Sequence, residues 1–168
     1  PSRPACFGEL RDGLRPAVRA ALERLGIERL YAHQAEAIER VRAGEHVAIV
    51  TGTASGKTLC YTVPMLEALA ANPLATMLCI YPTKALAQDQ LRGLQRLRAA
   101  DVGVDFLAGA YDGDTPANLR RRIRDAGNIV LTNPDMLHQG ILPQHARWNR
   151  FFTHLRYVVI DEVHAYRE

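Results

Sequence analysis

The stretch His46-Val-Ala-Ile-Val50, followed by Thr51-Gly-Thr-Ala-Ser-Gly-Lys-Thr58 and then by Leu59-Cys-Tyr-Thr-Val-Pro-Met-Leu66, decides the fold. A short β-branched apolar run, a turn rich in Gly, Ser and Thr, and an apolar stripe at Leu59, Val63, Leu66 and Ala70 predict strand, loop and helix in that order. Gly52 and Gly56 permit backbone conformations that turn successive N–H groups inward along Thr51, Gly52, Thr53, Ala54, Ser55 and Gly56, and the helix start behind them adds partial positive charge. That makes a cradle for phosphate oxygens. Lys57 would reach the outer phosphates of a bound ATP, and the Thr58 hydroxyl would ligate Mg2+. The strict pattern opens on Gly where this chain has Thr51, but the Gly-Lys-Thr core and its strand-loop-helix setting remain. A plain polar turn with a surface lysine is the alternative, and the setting disfavours it.

About a hundred residues on, Tyr157-Val-Val-Ile160 reads as a buried strand ending in Asp161-Glu162-Val163-His164. Beside a phosphate loop, Asp161 suits the magnesium shell and Glu162 suits the positioning of an attacking water. Neighbouring side chains on a strand face opposite ways, so both carboxylates can serve one site only if the backbone turns there. Without the loop, the same acidic pair would read equally well as a helix cap.

Further strands are expected at Thr76 to Tyr81, Val104 to Ala108 and Asn128 to Thr132, alternating with helical stripes. Leu14, Val18, Leu22 and Leu25 form one stripe, closed by Gly26; Ala87, Leu91, Leu94 and Leu97 form another; Thr115 and Pro116 read as cap and first residue of a third. Pro64 should kink the helix after the phosphate loop, at a cost of about 3 kcal/mol unless packing absorbs it. Nearly continuous apolar strands between helices predict an α/β fold, a mostly parallel sheet with helices on both faces.

Residues 1–29 read as a helical lead-in and 30–168 as one nucleotide-binding domain. The chain stops soon after the acidic motif, where an α/β domain is not expected to finish, so a fragment of a longer protein is expected. Its 168 residues, 48% hydrophobic, suffice for one core. The net charge of +3 permits an anionic partner without naming one. Cys6, Cys60 and Cys79 fit neither a zinc site nor a disulfide framework and are expected to be reduced and mostly buried. No apolar run is long enough for a membrane span and no signal peptide is legible, so an intracellular protein is expected.

With both motifs in hand, the chain resembles the first RecA-like domain of a superfamily 2 DExH/DEAD-type helicase from about Leu30 onward. Tyr31-Ala-His-Gln34 resembles the Q motif, in which the glutamine reads adenine. Tyr81-Pro-Thr-Lys-Ala-Leu-Ala-Gln88 resembles motif Ia, which implies nucleic-acid backbone contacts from Thr83 and Lys84. Thr132 with Asn133 to Leu137 resembles motif Ib, implying contacts from Thr132, Asn133 and Pro134. Gly109 to Thr115 falls where related enzymes carry another nucleic-acid loop, and His164 falls where the family couples ATP to nucleic acid. The DEVH box, Tyr111-Asp-Gly-Asp-Thr115, and Asn133-Pro-Asp-Met-Leu-His138 ahead of Trp148, Phe151 and Phe152 resemble the mitomycin-repair-factor type of DNA-repair helicase, relatives of RecQ-like enzymes moving three-prime to five-prime. Such a protein would hydrolyse ATP with Mg2+, bind DNA in preference to RNA without sequence specificity, and need a second RecA-like domain that this chain lacks. An RNA helicase and a nucleotide-binding scaffold without motor activity are the alternatives. Arg120, Arg121, Arg122 and Arg124 would lie on the nucleic-acid face or on a solvated helix.

Overall fold

The structure, a computed structural model, describes residues 6–50 and 56–166. The expectations for Thr51, Gly52, Thr53, Ala54 and Ser55 lie outside those residues. In chain order the elements are β1 (Phe7–Gly8), α1 (Pro16–Arg24), β2 (Leu30–Tyr31), α2 (Ala32–Arg42), α3 (Thr58–Ala71), β3 (Thr76–Ile80), α4 (Lys84–Ala99), β4 (Ala108–Ala110), α5 (Ala117–Ala126), β5 (Ile129–Thr132), α6 (Pro134–Met136), α7 (Asn149–Thr153) and β6 (Leu155–Ile160). Wide and then tight helical turns over Leu137–Trp148 join α6 to α7.

Four strands form a wholly parallel sheet in the order β4-β5-β3-β6. β3 and β5 are buried along their length because both faces are covered. On one face Met77, Cys79, Ile129 and Leu131 meet Met65, Leu66 and Leu69 of α3 and Leu94 and Leu97 of α4. On the other, Leu78, Ile80 and Val130 meet Ile123, Ile141, Trp148 and Phe151. The Trp148 ring stands edge-on to Tyr111 at 4.8 Å and to Phe151 at 5.5 Å, the geometry that ring quadrupoles favour. α4 crosses from β3 to β4 over the first face, while α5 and the α6–α7 segment return over the second, as a single crossover hand requires. The expected α/β architecture holds.

Particular elements differ from expectation. His46–Val50 joins no ladder among the described residues, and Val50 is 95% exposed. Propensity alone does not make a strand; a hydrogen-bonded neighbour does. β4 begins at Ala108, where the expected strand from Val104 ends, because only there does the chain come into register with Ile129. β6 was expected to be buried on both faces, yet Val158 and Ile160 are 52% and 51% exposed while Tyr157 and Val159 pack inward. It is the edge strand of the described sheet. Thr115 does not cap α5, whose cap position is Pro116; its hydroxyl instead donates to the Ala110 carbonyl.

Other readings carry through. Gly26, at φ +81°, closes α1 with Ile27 N–H on the Leu22 carbonyl and its own N–H on Glu23, both 2.9 Å, a Schellman arrangement. α3 continues through Pro64. The penalty of about 3 kcal/mol is outweighed because Val63, Met65, Leu66 and Leu69 are buried, each worth roughly 1.5–3 kcal/mol. Arg42 grips Glu67 through two nitrogens, at 3.2 and 2.6 Å, tying α2 to α3. Among the described residues no helix is long and apolar enough to cross a membrane.

Of the cysteines, Cys60 and Cys79 are buried but Cys6 is exposed. Burial pushes the Cys60 thiol up to about 11 and the Cys79 thiol up to about 12, from an ordinary value of 9.0. Since the folded values exceed the unfolded one, this contribution to stability is complete below pH ~9 and is lost as the pH climbs through the folded values. Iodoacetamide at pH 8 should label Cys6 alone, with the other two labelled only in denaturant; rapid native labelling of all three would contradict this packing.

Candidate functional site

Four of the motif segments leave the sheet at one level. Ile80 of β3 is paired with Thr132 of β5 on one side and with Ile160 of β6 on the other, and β4 ends at Ala110, opposite Leu131. The segments starting at Tyr81, Tyr111, Asn133 and Asp161 therefore emerge side by side at the carboxyl ends of parallel strands, where open α/β sheets bind ligands. Asp161 N–H donates to the Ile80 carbonyl at 3.0 Å, extending the ladder by one step beyond β6.

The required turn in the acidic motif is present. Glu162 sits in the left-handed region at φ +50° and ψ +48°, a conformation costing a non-glycine residue roughly 1–2 kcal/mol. Asp161 Oδ1 accepts the Glu162 N–H at 2.9 Å, and the Glu162 carbonyl accepts from Ala165 at 2.8 Å, so local hydrogen bonds hold the turn. Strain of this kind concentrates at functional sites. Its effect is to bring Glu162 Oε1 to 3.9 Å from Lys57 Nζ and Oε2 to 3.3 Å from His164 Nδ1. His164 itself is mostly exposed, with 72% of its side-chain surface free.

Gln34, buried at the start of α2, spans two segments: its Oε1 accepts from Tyr31 N–H and its Nε2 donates to the Gly56 carbonyl, both at 2.8 Å. Gly56 is at φ +73°, and a Cβ there would come within 2.5 Å of Gln34 Nε2. The residue expected to read a base thus also braces Gly56, leaving one amide hydrogen and one lone pair for anything else. Thr58 opens α3, and its hydroxyl donates to Gln90 Oε1 at 3.2 Å. A cavity of about 670 Å³ runs past Phe7, Tyr31, Gln34, Gly56, Thr58 and Tyr61.

After β3, Thr83 caps α4 by accepting from Leu86 N–H at 3.2 Å. Lys84 Nζ pairs with Asp114 Oδ2 at 2.6 Å, a hydrogen bond that raises Lys84 above its ordinary value. Asn133 Oδ1 caps α6 by accepting from Met136 at 2.9 Å, with Pro134 in the first turn. Thr132 is a correction: it is buried, and its hydroxyl donates to the Tyr111 carbonyl at 2.7 Å. As the last residue of an interior strand it ties β5 to the loop after β4. The arginine run divides as well, for Arg120 reaches the carbonyls of Thr115 and Gly113 at 2.8 and 2.7 Å and clamps the loop, while Arg121 and Arg122 are exposed.

The model of the DEAD/DEAH box helicase family matches residues 31–168. The chain belongs to that family. It is 49% identical over 165 residues to the ATP-dependent helicase YprA of Bacillus subtilis and 42% identical over 168 residues to the ATP-dependent helicase HRQ1 of Saccharomyces cerevisiae, covering 98% and 99% of this chain. The crystal structure of the DUF1998 helicase MrfA bound to DNA and AMPPNP superposes with a TM-score of 0.93 at 45% identity over 98% of this chain. The chain spans 22% and 15% of the two curated relatives and 23% of the MrfA chain. These matches confirm the RecA-like fold and the use of a nucleotide by the family, and they agree with the resemblance to mitomycin-repair-factor and RecQ-like enzymes.

For this DEAD/DEAH-type chain, sequence reasoning missed Phe7, Arg29, Tyr61 and Gln90. Phe7 reaches the cavity because β1 pairs with β2 in the register Phe7↔Tyr31, which stacks the two rings at 5.6 Å under the Arg29 guanidinium, 4.3 Å from the Phe7 ring centroid. A two-residue strand leaves no periodicity to detect. Thr132→Val should cost about 1–3 kcal/mol, the penalty for leaving the Tyr111 carbonyl unpaired, while nucleic-acid affinity stays within two-fold. A loss of affinity without a fall in melting temperature would restore the contact role.

Proposed function

We propose that this chain is the nucleotide-binding part of an ATP-driven DNA helicase or translocase, active in DNA repair with three-prime to five-prime movement. The observation that carries the reading is the approach of Lys57 to Glu162, which joins the start of α3 to the strained turn after β6. A cation and a carboxylate from the two motifs that phosphoryl transfer needs meet at one place. In this reading Gly56 and Lys57, with Thr51, Gly52, Thr53, Ala54 and Ser55, hold the phosphates; Gln34 receives the base in the cavity that Tyr31 and Phe7 line beside it; Glu162 positions the attacking water; and His164 couples the site to nucleic acid.

Magnesium fits the donors present. Thr58 and Asp161 offer hard oxygen, and no cluster of three or more His, Cys, Asp or Glu suited to a metal occurs among the described residues. Magnesium keeps several waters and completes its shell with phosphate oxygens, so two protein ligands suffice. When bound, it neutralises charge on the phosphates.

Thr83, Lys84, Asn133 and Pro134 follow the carboxyl ends of β3 and β5 and are proposed to follow the nucleic-acid backbone, which gives affinity without reading bases. DNA is favoured because the relatives of highest identity include a helicase whose crystal structure holds DNA. A DEAD-box RNA helicase of Oryza sativa, at 31% identity, supports the RNA alternative less. A second RecA-like domain, supplied by sequence beyond residues 30–168, would add arginines worth roughly 10³ to 10⁵ in rate. A protein that acts on DNA in this way would work inside the cell.

In the full-length protein, ATP hydrolysis should be stimulated by single-stranded DNA and less by RNA of the same sequence. Stimulation by RNA alone would move the assignment to an RNA helicase, and no turnover with either would favour a scaffold. Lys57→Ala should abolish turnover while leaving the melting temperature within a few degrees. Glu162→Gln should retain ATP yet fail to hydrolyse it, and loss of binding in that variant would make Glu162 a structural residue.

A further inference from the structure

A chain of polar side chains, Thr58, Gln90, Tyr61 and Tyr81, links α3 to the helix that Thr83 caps and Lys84 begins. Gln90 Oε1 accepts from the Thr58 hydroxyl at 3.2 Å and from the Tyr61 hydroxyl at 3.3 Å, which uses both of its lone pairs. Tyr61 has no second proton, so the Tyr81 hydroxyl, 3.3 Å away, donates to it. Tyr81 follows β3 directly and Gln90 lies two turns along α4, so consecutive elements, β3 and α4, supply the partners of both α3 hydroxyls. Burial raises both tyrosines above their ordinary values, which keeps the protons in place.

The chemistry of a hydroxyl ligand gives the arrangement its meaning. A threonine oxygen has one proton and two lone pairs, and it ligates a hard cation well only when the proton points away from the metal. Gln90 takes that proton, so the lone pairs of Thr58 are left for magnesium. We propose that Gln90 is a positioning residue that orients the Thr58 hydroxyl for magnesium, so that α4, whose first turn carries Thr83 and Lys84, sets the geometry of the nucleotide site. This rests on the nucleotide reading of Thr58 given above. Seven residues separate Gln90 from Thr83, about 10 Å along a helix, short enough for a rigid-body shift of α4 to be felt at Thr58.

The test uses the full-length protein and a non-hydrolysable ATP analogue, with affinity measured in excess magnesium and again in EDTA. The ratio of the dissociation constant in EDTA to that in magnesium isolates the magnesium contribution. Gln90→Leu should reduce that ratio roughly five- to ten-fold, the worth of one hydrogen bond, with affinity in EDTA unchanged within two-fold. Gln90→Met, of similar length and also without an acceptor, should do the same and serves if the leucine variant folds poorly. In a Thr58→Ala background neither substitution should lower the ratio further, because the group being oriented is gone. An unchanged ratio, an equal loss in EDTA, or a loss that persists with Thr58→Ala would each overturn the proposal. Failure of the unsubstituted protein to bind the analogue in either condition would instead overturn the nucleotide reading, and this proposal with it.

Discussion

The parallel ladder through Ile80 is the constraint on which the rest of this structure depends. A central strand buried on both faces cannot slip without moving its whole apolar set, so its register is strongly specified. Because Ile80 faces Thr132 and Ile160 across its two ladders, the loops that follow all three strands are held at one height. Loops positioned by a rigid scaffold are where function collects. Here four of them share one edge of the sheet, and the start of α3 meets that edge through Lys57 and Glu162.

Polar groups at this edge serve the fold and the site together. Gln34 spans Tyr31 and Gly56, so the segment expected to receive a base is also the brace of the segment expected to receive phosphates. Glu162 adopts a disfavoured backbone so that its carboxylate lies between Lys57 and His164. Lys84 is held by Asp114, and the loop that carries Asp114 is held by Arg120. A phosphate approaching Lys84 would compete with a carboxylate already in place, and exposed pairs of this kind are weak enough to exchange.

Several features were legible because they are local. The Gly-Lys-Thr core, the acidic motif, the apolar stripes of α1, α3 and α4, and the glycine stop at Gly26 depend on residues only a few positions apart. The need for a turn at Glu162 followed from strand geometry alone, and the left-handed backbone there meets it. Thr132 misled because a motif position says nothing about which way a hydroxyl faces, and in an interior strand it faced the Tyr111 carbonyl. His46–Val50 misled because its composition favours a strand, while a ladder needs a partner that none of the described residues provides.

The sequence by itself determined the α/β class, the alternation of strand and helix from β3 through β5 to β6, and the family, since each of these is written in short-range pattern and in motifs of fixed spacing. Only the tertiary structure decided that Phe7 stacks on Tyr31, that the Gln34 amide is committed to Gly56, and that Gln90 takes the proton of Thr58. Those contacts join residues 22 to 32 positions apart in the chain, as in the last two pairs. Hydrogen-bond partners at such separations are chosen by packing, which sets side-chain direction to within an ångström, and no periodicity in the chain encodes that choice.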